Sequence, residues 1–163
     1  MATPTNLPAT FVAANALPAA SLNDLRGAFR ILQVINAGYS TATTNSTTTF
    51  AATGLSTSIT PQSASSKILV ILNVAGTGRS SGNGSNVIEL RRGSTQLATQ
   101  NAAYTNTTTI NMVGSAAIIY LDSPNTTSST TYDARFKADA ASCSVIVQDG
   151  ASYSSITLLE VSA

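Results

Sequence analysis

The chain has 163 residues, a net charge of +1 and 9% charged residues, where globular domains usually carry roughly 25%. So little charge leaves no electrostatic footprint for nucleic acid or an acidic membrane surface. No apolar run reaches the roughly 18 residues that membrane insertion as a helix needs. There is no histidine and a single cysteine, Cys143, so the commonest general base and metal ligand are missing and no intrachain disulfide can form. The length fits one domain that buries its own core.

Residues 1–30 stand apart from the rest. Pro4, Pro8 and Pro18 favour an extended arm. Ser21 to Arg30 then reads as a short amphipathic helix. Ser21 with Asp24 three residues later resembles a capping box, Leu22, Leu25 and Phe29 share one face, and Arg26 and Arg30 suit the negative end of the dipole. A helix this short is unstable alone, so its apolar face is expected to dock on the β-domain or on a neighbouring chain. The alanine-rich stretch 11–20 lacks the basic flank of a signal peptide, and synthesis in a cytoplasm without general secretion is the expectation.

From Ile31 the pattern is strand after strand. Residues 31–37 form the first, and 50–59 give one or two more before Pro61 and a serine-rich turn. Residues 67–75 (Lys-Ile-Leu-Val-Ile-Leu-Asn-Val-Ala) are apolar on both faces, which predicts a central strand covered on both sides. Residues 76–86 read as a Gly/Ser loop. Residues 87–92 and 95–100 flank Gly93-Ser94, a hairpin signal. Residues 110–121 form the next strand, ended by Ser123-Pro124-Asn125. Residues 130–138 alternate, with Tyr132, Ala134 and Phe136 inward and Asp133, Arg135 and Lys137 outward. Cys143, Val145 and Val147 share one face of the following strand, and 153–161 closes the series. The Thr-rich tracts 40–49 and 125–131 are short and bounded by strands, so ordered loops or edge strands are expected there.

About nine short strands with frequent turns predict an all-β, antiparallel β-sandwich on residues 31–163, preceded by the arm and helix on residues 1–30.

Gly78-Arg79-Ser80-Ser81-Gly82 matches the pattern of a nucleophile elbow, but that turn needs a histidine partner and a following helix. Gly76-x-Gly78 lacks the third glycine of a dinucleotide loop. The seven acids are scattered and form no Asp-x-Asp calcium motif. Arg91 and Arg92 point to opposite faces of a strand and read as charges that discourage edge pairing. Tyr39, Tyr104 and Tyr153 fall near strand ends, where they can stack on sugars or fill a rim. No cofactor, metal or catalytic residue is assigned.

Several short motifs occur together and in order. They are Ala28-Phe29-Arg30-Ile31-Leu32-Gln33-Val34, Gly54-Leu55-Ser56-Thr57-Ser58-Ile59-Thr60-Pro61, Ser65-Ser66-Lys67-Ile68-Leu69-Val70, Leu90-Arg91-Arg92-Gly93-Ser94-Thr95, Tyr120-Leu121-Asp122-Ser123-Pro124 and Ile156-Thr157-Leu158-Leu159-Glu160-Val161. Over residues 28–163 this series resembles a domain of bacteriophage tail-fibre and virion appendage proteins. The opening Leu7-Pro8-Ala9-Thr10-Phe11 resembles the start of tail and fibre subunits, where such a segment attaches the protein to the particle. The resemblance implies a jelly-roll-like sandwich similar to tumour-necrosis-factor-like trimers, without enzymatic activity.

The expected function is therefore that of a virion protein assembled in a host cytoplasm. It would be a short tail fibre or tail-tip appendage, with a capsid decoration (cement) protein as the alternative. Leu7, Phe11, Leu22, Leu25, Arg26, Phe29 and Arg30 are the candidate attachment residues. Arg79, Ser80, Asn83, Tyr104 and Asn106 are the candidate receptor-binding loop residues, facing a host glycan or protein. The expected partners are further copies of the chain, as a homotrimer, and phage tail or capsid proteins, with neither nucleic acid nor membrane insertion. Leu69 and Ile71, opposite the face of Ile68, Val70 and Leu72, need cover that an intersubunit contact would provide.

Overall fold

The computed structural model describes the backbone of residues 31–105 and 111–162 and the side chains of residues 31–102 and 114–162. The expected helix at residues 21–30 and all seven candidate attachment residues lie outside the described residues.

Ten strands are present among the described residues. They are β1 (Ile31–Tyr39), β2 (Thr43–Asn45), β3 (Ala51–Ile59), β4 (Lys67–Ser81), β5 (Gly84–Arg92), β6 (Thr95–Thr105), β7 (Asn111–Asp122), β8 (Thr130–Ala138), β9 (Ser144–Val147) and β10 (Ser154–Val161). All pairings are antiparallel. One sheet runs β1-β10-β4-β7, with β9 and β2 continuing beyond β10 and β1; the other runs β3-β8-β5-β6. The first sheet is four ribbons wide, because β10 and β9 lie in turn along the same edge of β4. β10 pairs with residues 67–73 of β4 and β9 with residues 78–81.

The step between them falls at Gly76 (φ +57°), where a Cβ would come within 2.5 Å of the Asp149 amide nitrogen. Residues 148–153 connect β9 to β10 there through a 3-10 turn at Asp149–Ala151. The Gln148 amide donates to the Ala75 carbonyl (3.0 Å), and the Ala75 amide donates to Ser154 Oγ (2.9 Å), so β4 keeps its partners across the gap.

The core lies between the sheets and follows the period of two. Ile68, Val70, Leu72 and Val74 of β4, Ile88 and Leu90 of β5, Tyr132, Ala134 and Phe136 of β8, and Ile156 and Leu158 of β10 are buried. Each such aliphatic or aromatic side chain contributes roughly 1.5–3 kcal/mol. The inward alternation expected for residues 130–138 and the shared face of Cys143, Val145 and Val147 are both observed. So is the Gly93-Ser94 hairpin. The tract 40–49 is ordered around β2: Asn45 Nδ2 donates to the Thr49 and Phe136 carbonyls (2.9 and 3.0 Å), and Asn45 Oδ1 accepts from the Thr47 amide.

Four expectations are corrected. Residues 76–86 are not a loop: β4 runs to Ser81, β5 starts at Gly84, and only Gly82-Asn83 turns, because the glycines there permit extended pairing as well as bends. Among the described residues β4 is central but covered on one face only, since Ile71 on its outward face is 40% exposed. β5 is an interior strand, and Arg92 guards no edge: its Nη1 donates to both carboxylate oxygens of Asp122 (2.8 and 2.7 Å). The strands number ten among the described residues, where about nine were expected, because the Thr-rich tract contributes β2.

Two buried carboxylates respond oppositely to burial. Glu160 is fully buried; burial alone would raise its carboxyl, but hydrogen bonds from Gln33 Nε2 (2.6 Å) and from the Gln62 (2.7 Å) and Ser63 amides outweigh this and hold it below the usual range. Its stabilisation is present above the unfolded value of about 4.3 and is lost as pH falls through the lower folded value. Glu89 is pushed up by burial, so lowering the pH through its raised folded value toward about 4.3 increases its contribution to stability. Glu160→Gln is expected to cost about 1.5–3 kcal/mol at pH 7, the range for hydrogen bonds to charged groups. It should also flatten the acid limb of the urea midpoint against pH. Glu89→Gln should steepen that limb.

Candidate interaction surfaces

Three surfaces differ sharply in chemistry. The first is the outward face of the β1-β10-β4-β7 sheet. Register places Val34, Leu159, Leu69 and Leu121 in one row across four strands, and Asn36, Thr157, Ile71 and Ile119 in the next. Val34 is 58% exposed, Ile119 71% and Leu121 57%. Ile31, exposed beside Val161, lies in the row before these, which Lys67 continues on β4 with its ammonium donating to Ser123 Oγ (2.6 Å). Neither row contains a charged residue. β7 supplies both Ile118, which is buried, and Ile119, which is not, because consecutive strand residues take opposite faces.

The second surface is the outward face of the other sheet, and it is charged. Glu89 lies opposite Arg135, Arg91 opposite Asp133 and Val87 opposite Lys137. Arg135 Nε donates to Asp133 at 2.8 Å, and the Lys137 ammonium sits 4.8 Å from the centre of the Phe50 ring. Opposite charges facing one another across strands stabilise the sheet, with Glu89 buried beneath its half-buried partners. A shallow groove of about 410 Å³ beside it is lined by Ala52, Gly54, Ser56, Gly93, Thr131 and Arg135, and its charged groups are already paired.

The third surface is one end of the sandwich. The described chain begins at Ile31, paired with Val161, at the same end as the start of β4 and the close of β7. The opposite end carries the β4–β5 turn, the end of β6, the start of β7 and the β8–β9 connection. The 15 residues of β4 set the ends about 45–50 Å apart at about 3.3 Å per residue.

The expected receptor residues distribute unequally over that far end. Asn83 is exposed in the β4–β5 turn, between Gly82 (φ +73°) and Gly84 (φ +145°), two glycines in conformations that other residues rarely adopt. Tyr104 belongs to the end of β6 opposite Ser85, and its side chain lies outside the described residues, as does Asn106. Arg79 and Ser80 are corrections. Both lie in β4, Arg79 is fully buried, and Ser80 Oγ donates to the Ser144 carbonyl (3.2 Å), so neither is a loop residue offered to a receptor. The same placement puts the Gly78–Gly82 motif in an extended strand, where a nucleophile elbow cannot form. Of the three tyrosines, Tyr153 is exposed, its ring crossing Gly38, and Tyr39 packs half-buried over Gly54.

No group of three or more metal-ligating side chains occurs among the described residues, and none of their helices is long and apolar enough to cross a membrane. Cys143 is buried, and burial followed by the nearby Asp139 carboxylate pushes its thiol up. Maleimide is therefore expected to label the folded protein slowly and the urea-unfolded protein at once; equal rates would contradict this burial.

Sequence reasoning missed most of the first surface, although its signal was present. The runs Ile68–Leu72 and Ile118–Leu121 are apolar at consecutive positions, where a half-solvated strand alternates. Comparison with family models and with curated proteins gives no match for the chain.

Proposed function

We propose that the chain is a non-catalytic structural subunit of a bacteriophage particle, a short tail fibre or tail-tip appendage. Residues 1–30 attach it, and a jelly-roll sandwich carries its far end toward a host surface. The sheet orders β1-β10-β4-β7 and β3-β8-β5-β6 support the jelly-roll reading, which has two four-ribbon sheets whose successive ribbons alternate between them except at the β5–β6 hairpin. The ordered motif series supports the phage reading.

The observation that carries the proposal is the end-to-end polarity of the sandwich. The proposed attachment segment joins at Ile31, beside Val161, while the exposed Asn83 turn and the end of β6, with Tyr104, lie at the other extreme of β4. A subunit held at one end and read at the other needs this arrangement. Loops presented on a rigid scaffold are the usual place for recognition.

The test is made on particles assembled with the full chain carrying Leu25→Asp and Phe29→Asp. The chain is expected to keep its β-sheet circular dichroism and to vanish from purified particles, whereas wild type is retained on the order of tens of copies, as symmetric tail assemblies require. Retention of the variant sinks the attachment role. Copies on the order of hundreds, spread over the head under immunogold labelling, would replace the fibre reading with capsid decoration.

A further inference from the structure

We infer that Asn83 is a self-modifying site, whose side-chain amide is lost through attack by the backbone of Gly84 in the folded protein. The inference goes beyond the proposed function and holds whatever the far end of the sandwich contacts.

The reaction needs only water and hydroxide. The Gly84 amide nitrogen, deprotonated by hydroxide, attacks Cγ of Asn83 and closes a succinimide ring. The side-chain nitrogen takes a proton from water and leaves as ammonia, which returns the hydroxide. Water then opens the ring at either carbonyl, leaving aspartate or isoaspartate at residue 83. Nothing is oxidised or reduced, and one amide becomes one carboxylate.

Three observations select this asparagine. A side chain on the following residue shields the attacking nitrogen, and no other asparagine of the chain precedes glycine. Asn83 is exposed in the β4–β5 turn, and its side chain makes no hydrogen bond among the described residues. Asn45 and Asn86 are buried instead, and their Nδ2 atoms donate to the Phe136 and Ile146 carbonyls (3.0 and 2.9 Å). Asn125 is exposed like Asn83, but it precedes the β-branched Thr126.

The fold also supplies a brake. The Asp139 carboxylate accepts from the Ser85 amide (2.7 Å) and from Ser85 Oγ (2.9 Å), and its Oδ1 lies 2.3 Å from where a Gly84 Cβ would stand. This clasp holds the residue after Gly84, and its negative charge disfavours a deprotonated amide beside it. Conversion in the folded chain is therefore slower than in an open Asn-Gly peptide. The product adds a second negative charge to the turn that Asp139 clasps. It also takes the formal net charge of the chain from +1 to zero, where proteins associate more readily.

The test incubates the purified full-length chain in mildly alkaline buffer at physiological temperature and maps its peptides by mass spectrometry. The amide-to-acid mass shift is expected at residue 83, as an aspartate–isoaspartate doublet, well ahead of Asn125, Asn45 and Asn86. Its rate should rise with pH. Asp139→Asn should speed it severalfold with unchanged circular dichroism, and Asn83→Gln, whose ring closure is slower, should keep its amide over the same time. An Asn83 that keeps its amide while an Asn-Gly model peptide converts in the same buffer overturns the inference, as does equal amide loss at Asn125. Neither result bears on attachment, which is read from particle composition.

Discussion

Replacing Asp122 with alanine is expected to lower the unfolding free energy by about 3–5 kcal/mol, the usual cost of removing one partner from a buried ion pair. Asp122 closes β7 in one sheet, whereas Arg92 and Tyr132 are neighbours in the other. Its carboxylate accepts both contacts of Arg92 Nη1 and the Tyr132 hydroxyl at 2.6 Å, so one side chain latches the two layers together. Tyr132 is fully buried, and burial together with the adjacent carboxylate pushes its phenol far above the usual range. Without Asp122 that hydroxyl loses its acceptor. The Arg92 side chain is 26% exposed and recovers some hydration, which places the effect near 3 kcal/mol. The readout is the urea midpoint at unchanged m. Tyr132→Phe should cost about 1 kcal/mol in wild type and close to nothing in the Asp122→Ala background. Equal costs in both backgrounds would refute the latch.

Phe136→Ala should be as damaging, at about 3–5 kcal/mol, for a different reason. Phe136 is fully buried on the inward face of β8, between its β3 and β5 partners, so truncating it opens a cavity in the core. Lys137 beside it points the other way, onto the Phe50 ring, and Lys137→Ala should cost no more than about 1 kcal/mol. The contrast between adjacent residues is the check. Similar losses at both positions would mean that the facing assigned to β8 is wrong.

Facing was the most legible property of this chain. Tyr132, Ala134 and Phe136 alternate with charged residues, and the period of two alone orients β8. The Gly93-Ser94 hairpin was legible because its turn chemistry is local. Residues 76–86 were misread because glycine and serine signal bends, yet tertiary pairing overrides that preference: β7 and β9 hold residues 77–81 extended, and β6 and β8 pair with the start of β5 at residues 84–86. Arg79 was offered to a receptor for the same reason and is buried within that pairing. The Asp122 latch joins residues 30 and 10 positions apart along the chain, and no local pattern announces such a meeting. The uncharged rows on the outward face of the first sheet were half legible. Leu69 and Ile71 were seen to need cover, but Val34 and Ile119 join them only through register across β10 and β7.

The pairing of Ile31 with Val161 makes the sandwich a display scaffold with a fixed orientation. Whatever precedes residue 31 and whatever follows residue 161 leave it side by side, so a bulky fusion joined after residue 163 would crowd the entry at Ile31. A foreign peptide inserted after Asn83 would instead be carried at the other extreme, about 45–50 Å away by the length of β4. Gly82 must be kept in such a graft, since a Cβ there would fall 1.6 Å from the Ser142 carbonyl oxygen. With that glycine in place, the turn is a natural loading point for epitopes.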